Sequence, residues 1–229
     1  KKEVATRFAQ GSVGFYDGND PMTFLWMVPG RVDVYFDESS DPGEEPRARL
    51  AAAGMKIKGV FPTPEAVGQA VAGQVLEEWR QKATDGQKYV FGLVTGSTPA
   101  PFLKAFMPLL KGLPDEIRAG LLRELSIVVP DDHVEQDAVG QFHNITRENP
   151  VSAYTTRQND FINPANEGLL SPAMSMDQVM VPEVGKAATQ LDQLPGIDRF
   201  FMTFGPQHVF MQFAGEAERG VFAAGDVAV

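Results

Sequence analysis

A short, β-rich apolar run, Tyr89 to Val94, breaks abruptly at Thr95-Gly96-Ser97-Thr98, and an amphipathic segment opened by Pro99 follows it as far as Met107. An apolar run without polar alternation fits a strand covered on both faces, the habit of parallel sheets. Thr98 is suited to cap the next helix and Pro99 to take its first position, where a missing N–H has no intrahelical partner to lose. The unbonded N–H groups at such a helix start, with the Ser97 and Thr98 hydroxyls beside them, suit a phosphate. An ordinary capped βα turn has the same pattern, and the residues alone leave both readings open.

The rest of the chain is read outward from this unit. Residues 1 to 36 are β-rich: SVGFY and MTFLWMV precede Pro29-Gly30, and Val32, Val34 and Phe36 then alternate with Arg31, Asp33 and Tyr35. A hairpin about Pro29-Gly30 with one buried and one wet face is expected. Residues 37 to 54 turn acidic and small and read as a solvated linker or long loop. From Met55 strands and helices alternate. A strand over Lys56 to Phe61 precedes a helix opened by Thr63-Pro64-Glu65, in which Val67, Val71, Val75 and Trp79 form one apolar stripe and which Asp85-Gly86 ends. Pro108 is expected to end or kink the helix after the turn, and Pro114-Asp115 to open another with Ile117, Leu121 and Leu122 inward. LSIVV, residues 125 to 129, is a second buried strand leading to Pro130-Asp131-Asp132-His133. Residues 134 to about 182 lack clear periodicity and read as irregular, with some helix around Asp137 to Arg147. A helical pattern from Val184 to Leu194, a third buried strand from Asp198 to Phe204, the segment Gly205-Pro206-Gln207-His208 and one more strand in HVFMQF complete the chain.

Three strand ends thus carry polar residues: Thr95 to Thr98, Asp131 to His133, and Gly205 to His208. In a parallel sheet they share the edge at which open α/β sheets hold ligands. Asp131 is there a candidate general base, and Asp132 beside it pushes one of the two pKa values upward. His208 is a candidate acid/base or ring-opening group. Solvated loop carboxylates and a structural histidine are the plainer alternatives. Asp131, Asp132, His133 and His143 match no ligand motif, so neither metal nor cofactor is expected, and Walker A, dinucleotide and nucleophile-elbow motifs are missing. The absence of cysteine excludes disulfides and thiolate catalysis. A formal charge of −10 argues against non-specific nucleic-acid binding. No apolar run is long enough to cross a bilayer, and KKEVATRFAQGS lacks the apolar centre of a secretory signal, so a soluble, cytoplasmic protein without membrane partners is expected.

These segments carry a family resemblance. Phe91 to Pro99 followed by Phe102-Leu103-Lys104-Ala105-Phe106 resembles the phosphate loop and first helix of glucosamine-6-phosphate isomerases/deaminases. Val129-Pro130-Asp131-Asp132-His133-Val134 resembles the segment in which that family places Asp-Glu-Tyr-Val after a strand. Gly196-Ile197-Asp198 with Phe200, Phe201, Gly205, Pro206 and His208 is similar to its Gly-Ile-Asp strand leading to Gly-Pro-Asp-Gly-His. The order agrees, over residues 56 to 213, and the related 6-phosphogluconolactonases share the general plan. The resemblance implies an α/β fold with three layers, a mostly parallel, Rossmann-like sheet having helices on both faces, here with an N-terminal β-hairpin appendage. Residues 1–54 would form the extension and acidic linker, and residues 55–229 the sugar-phosphate isomerase-like domain.

It further implies that Thr95, Gly96, Ser97 and Thr98 hold the phosphate of a small phosphorylated sugar, an amino-sugar or hexose 6-phosphate. Asp131, with Asp132 beside it, would move a proton between C1 and C2, and His208 would assist ring opening. Gly205-Pro206-Gln207-His208 departs from the family pattern, being one residue short and without its second Asp. A non-catalytic sugar-phosphate binding module and a 6-phosphogluconolactonase-like hydrolase are the alternatives, the latter disfavoured because an arginine is expected after the acidic pair. Whether the chain forms a homo-oligomer stays open.

Overall fold

A computed structural model describes residues 13–16, 22–26, 31–39, 41–52, 56–95, 99–129, 131–184, 186, 190, 197–203 and 210–214. In chain order the elements are β1 (Val13–Tyr16), β2 (Met22–Trp26), β3 (Arg31–Asp37), α1 (Glu44–Ala52), β4 (Lys56–Phe61), α2 (Pro64–Thr84), β5 (Tyr89–Leu93), α3 (Ala100–Lys111), α4 (Asp115–Arg123) and β6 (Leu125–Val128). They continue as β7 (Asp131–Gln136), β8 (Phe142–Asn144), α5 (Ala153–Arg157), a π-helical turn (Gln158–Ile162), α6 (Asn163–Asn166), a 3-10 turn (Met176–Gln178), β9 (Val179–Met180), β10 (Arg199–Thr203) and β11 (Phe210–Ala214). The molecule is of the α/β type. Its seven-stranded sheet has the order β4-β3-β11-β10-β5-β6-β9, and a four-stranded sheet has the order β1-β2-β7-β8. In the large sheet every pairing is parallel except the two made by β11.

The core follows from strand alternation. Tyr35 of β3, Tyr89, Phe91 and Leu93 of β5, Leu125 and Ile127 of β6 with Val129 just beyond it, and Val179 and Val181 all belong to one apolar cluster. Helices α2, α3 and α4 cover it with Val67, Val71, Val75, Trp79, Phe102, Phe106, Leu110, Leu121 and Leu122. Ring pairs knit the layers: Trp79 lies 6.1 Å from Tyr89 and 6.2 Å from Phe106, and Phe102 is 5.6 Å from Phe91. Offset aromatic stacking at such separations adds about 0.5–1.5 kcal/mol per pair to the burial itself. Every residue of β5 is buried, as expected for a strand with both faces covered.

The α2 stripe and its ends follow the sequence: Thr63 accepts from the Ala66 amide, and Gly86 adopts φ 67° at the exit. Other expectations are corrected. Segment Arg31 to Asp37 forms no hairpin with the strand before it, since β3 pairs with β4 and β11. The N-terminal hairpin is instead β1 with β2, one strand earlier. Asp33 to Asp37 are all buried, so both faces of β3 are covered, and the strand lies inside the sheet between β4 and β11 rather than at its rim. Part of the expected linker is a helix, α1, which buries no side chain. Helix α3 begins one residue later than expected, with Pro99 as its cap, and it runs through Pro108 because its apolar stripe continues to Leu110. In α4 the inward residue of the first turn is Arg118 and not Ile117, which is half exposed. Residues 137–147 are turns and the short strand β8, and no helix forms there. Val184 to Leu194 falls largely outside the described residues. Among those described, no helix is long and apolar enough to cross a membrane.

Candidate functional site

The three strand ends singled out by the sequence come from neighbouring parallel strands in the order β10-β5-β6. Gly92 stands opposite Val128, so Thr95 and Asp131 each lie three residues beyond one register pair. Phe201 stands opposite Leu93, so Thr203 lies level with Thr95. Strands in a sheet are about 4.8 Å apart, so the carboxyl ends of β10, β5 and β6 lie side by side on one edge of the large sheet. The chain leaves β5 toward β6 and β9 and later returns with β10 on the other side of β5. The crevice between β5 and β10 is therefore a topological switch point, the position where open α/β sheets bind ligands.

Of the turn residues expected from the sequence to hold a phosphate, Thr95 is half-buried two residues beyond β5, while Gly96, Ser97 and Thr98 lie outside the described residues, as does His208. Asp131 opens β7, its backbone opposite Leu25 of β2, at the point where the chain leaves the large sheet for the small one. Asp132 is buried with Val134 on the inward side of β7. One carboxylate oxygen accepts from the Ala153 amide at 2.9 Å and the other from the Asn144 side-chain amide at 3.1 Å. Asn144 also donates to the Pro182 carbonyl at 2.8 Å and accepts from the Val184 amide at 2.8 Å. Asp132 thus ties β7 to α5 and β8, a structural duty that the acidic dipeptide does not announce. His133 has its Nδ1 buried, and the exposed His143 ring lies 3.7 Å from a Glu135 carboxylate oxygen. Among the described residues no three His, Asp or Glu side chains converge as a metal site would require.

Sequence reasoning missed Arg157. It ends α5, is wholly buried, and donates from Nη2 to the Val94 carbonyl at 3.1 Å, the last carbonyl before Thr95. The same nitrogen lies 2.7 Å from Asp160 Oδ2. Burial raises the pKa of the Asp160 carboxyl from its ordinary value, against the opposing pull of the Arg157 charge. The signal was present in Arg157 and Asp160, three apart and followed by the apolar Phe161 and Ile162. Helix α5 places the arginine: Ser152, fully buried, accepts from the Tyr154 amide at 3.2 Å, and Asp132 holds the Ala153 amide beside it.

A separate cavity of about 340 Å³ lies along β6 and β9, lined among others by Ser126, Val128, Tyr154, Gln178 and Glu183. The Arg147 guanidinium sits 4.2 Å above the Tyr154 ring at its wall. None of Thr95, Asp132 and Arg157 lines it.

No protein-family model matches this chain, and no curated protein matches it.

Proposed function

We propose that this chain binds a phosphorylated sugar at the carboxyl edge of β10, β5 and β6 and isomerises it by proton transfer between C1 and C2, in the manner of glucosamine-6-phosphate isomerases/deaminases. In this reading the fold is the three-layer, Rossmann-like type. The turn Thr95 to Thr98, ahead of helix α3, holds the phosphate, and this distant anchor sets the register of the sugar. Asp131 removes the proton from the carbon next to the carbonyl and returns it to the neighbouring carbon through an enediol or enolamine, which needs no cofactor. His208 assists ring opening.

The observation supporting this reading is the adjacency of the parallel strands β10, β5 and β6, whose carboxyl ends lie side by side, with Thr95 just beyond β5 and Asp131 opening the strand that follows β6. A second reading, a sugar-phosphate binding module without catalysis, is favoured by Asp132. Both its oxygens are engaged by protein donors, so the acidic pair has one member committed to structure.

Purified protein assayed with glucosamine 6-phosphate, fructose 6-phosphate and 6-phosphogluconolactone, alongside thermal shifts with each, separates these readings. Turnover of either hexose phosphate, abolished by Asp131→Asn with binding retained, supports the isomerase. An unchanged rate in that variant sinks the assignment of the base. Stabilisation without turnover points to the module. If no phosphosugar and no inorganic phosphate raises the melting temperature, and Ser97→Ala changes nothing, the anion site itself is wrong.

A further inference from the structure

Arg147 is a cation without a counter-charge in a strongly acidic chain. Lysine and arginine number 20 against 30 acidic residues, yet among the described residues the Arg147 guanidinium meets Tyr154 and no carboxylate. It lies 4.2 Å above the Tyr154 ring, a cation–π contact, and Nη2 donates to the Tyr154 hydroxyl oxygen at 3.3 Å. The chain ahead of α5 holds both residues in place. Thr155 donates its hydroxyl to the Arg147 carbonyl at 2.6 Å, the Asn149 amide bonds the Thr146 carbonyl at 3.0 Å, and Ser152 accepts from the Tyr154 amide at 3.2 Å. Burial pushes the Tyr154 phenol up, against the pull of Arg147, so the ring keeps its proton at neutral pH. That hydroxyl hydrogen meets no acceptor among the described residues, since the contact with Arg147 uses the oxygen as acceptor. Two donors therefore stand side by side on the wall of the cavity of about 340 Å³, and no described protein group receives them.

We propose that this cavity binds a small monocarboxylic acid with an apolar body, its carboxylate held by the Arg147 guanidinium and the Tyr154 hydroxyl. A carboxylate suits this pair because its two oxygens accept charge-assisted hydrogen bonds from arginine N–H groups. Other polar side chains of the lining are committed within the protein. Gln178 donates to the Leu122 and Leu125 carbonyls at 2.8 and 2.7 Å, Gln190 spans the Val181 carbonyl and the Glu183 amide, and the Glu183 carboxylate is paired with Lys186 at 2.7 Å. Val128, Val179 and Met180 supply apolar surface for the body of the ligand, and the volume suits a small molecule. The carboxylates of Asp177 and Glu183 in the same lining disfavour a phosphate dianion more than a singly charged acid. Thr95 does not line the cavity, so a phosphate at the strand-end turn and a carboxylate here would bind independently.

Calorimetry on the full chain measures the binding of hexanoate, hexanamide and inorganic phosphate, and the methyl chemical shifts of Val128, Val179 and Met180 report where hexanoate sits. The expected result is a single bound hexanoate that moves those shifts, with hexanamide weaker by about tenfold or more. Arg147→Gln is expected to raise the hexanoate Kd about tenfold or more, the scale of one charge-assisted hydrogen bond. Tyr154→Phe keeps the ring under the guanidinium and removes only the hydroxyl, and it is expected to raise the Kd threefold or more. No hexanoate binding to the parent protein, unmoved shifts at the three lining residues, hexanamide binding as well as hexanoate, or a Kd within twofold in Arg147→Gln overturns the inference. Phosphate that binds more tightly than hexanoate and is lost in Arg147→Gln overturns the carboxylate assignment. Arg147 is exposed, so Arg147→Gln is expected to fold. Should it fail to do so, an unchanged Kd in Tyr154→Phe overturns the inference equally.

Discussion

At the scale of single residues, the strongest test of the fold is the polar cluster beneath α2. Arg199, at the start of β10, bonds Glu78 through Nε and Nη2 and lies 3.3 Å from Asp33, whose carboxylate also takes Lys58 at 3.0 Å. Removing one member of a buried pair leaves uncompensated charge, so Arg199→Met is expected to cost about 3 kcal/mol or more. Pairing it with Glu78→Leu should recover part of that loss, because the orphaned acid goes as well; urea unfolding of both variants measures this. The sequence suggested a wet face for Asp33, on the strength of its alternation with Val32 and Val34. Alternation reports polarity, and it cannot tell water from a buried counter-charge supplied 166 residues away. Asp160 offers a pH test of the same kind. Its carboxyl is raised by burial, so the native state holds that proton more tightly than the unfolded chain does. Stability must then fall as pH rises through the window between the unfolded and folded values of this group. Asp160→Asn is expected to remove that component, so the difference in unfolding free energy between parent and variant should depend on pH in the carboxylate range and level off above it.

At the scale of elements, local signals succeeded where local forces decide. The stripe Val67, Val71, Val75 and Trp79 and the Thr63 cap specified α2, and the apolar run specified β5. They failed over residues 134 to 182, because β7 gains its strand form from pairing with β2, more than a hundred residues earlier, and no periodicity in the segment records that partner. Arg157 left a local trace in its spacing to Asp160, but that trace does not reveal its burial. Its burial depends on where α5 docks, not on its own neighbours. Two glycines of α2 test how tightly the elements meet. A Cβ on Gly68 would stand 2.4 Å from the Pro101 carbonyl oxygen, where α2 crosses the start of α3, so neither helix can yield without moving backbone. Gly68→Ala is expected to destabilise by about 1–3 kcal/mol, as overpacking does. Gly73, on the exposed side of the same helix, has nothing within 4 Å of such a Cβ. There Gly73→Ala should stabilise by about 0.5–1 kcal/mol through helix propensity alone. Opposite signs from one substitution type on one helix, read by thermal unfolding, check the α2–α3 crossing directly.

At the scale of the whole molecule, the βα alternation from Met55 onward foretold the parallel trio β10-β5-β6 and hence the edge on which the candidate site lies. The position of β3 was not foretold. Its alternation resembles an independent hairpin, yet the strand sits between β4 and β11, parallel to the first and antiparallel to the second. A boundary near residue 54 therefore cuts through the hydrogen-bonded sheet. Removing residues 1–54 would leave β4 with no strand neighbour, bare the β11 edge, take β2 from β7 and deprive Lys58 and Arg199 of Asp33. Exposed edges of this kind template aggregation, and the loss of a core residue such as Tyr35, which donates to Gln74 at 2.7 Å, weakens the packing of α2. The fragment 55–229 is accordingly expected to lack the cooperative thermal transition of the full chain and to elute as aggregates in size-exclusion chromatography. A soluble monodisperse fragment melting within a few degrees of the full chain would show instead that β3 is dispensable to the sheet. The candidate site would then belong to an independently folding α/β unit, and phosphate binding measured on that fragment alone would tell whether the strand-end edge is complete without the first 54 residues.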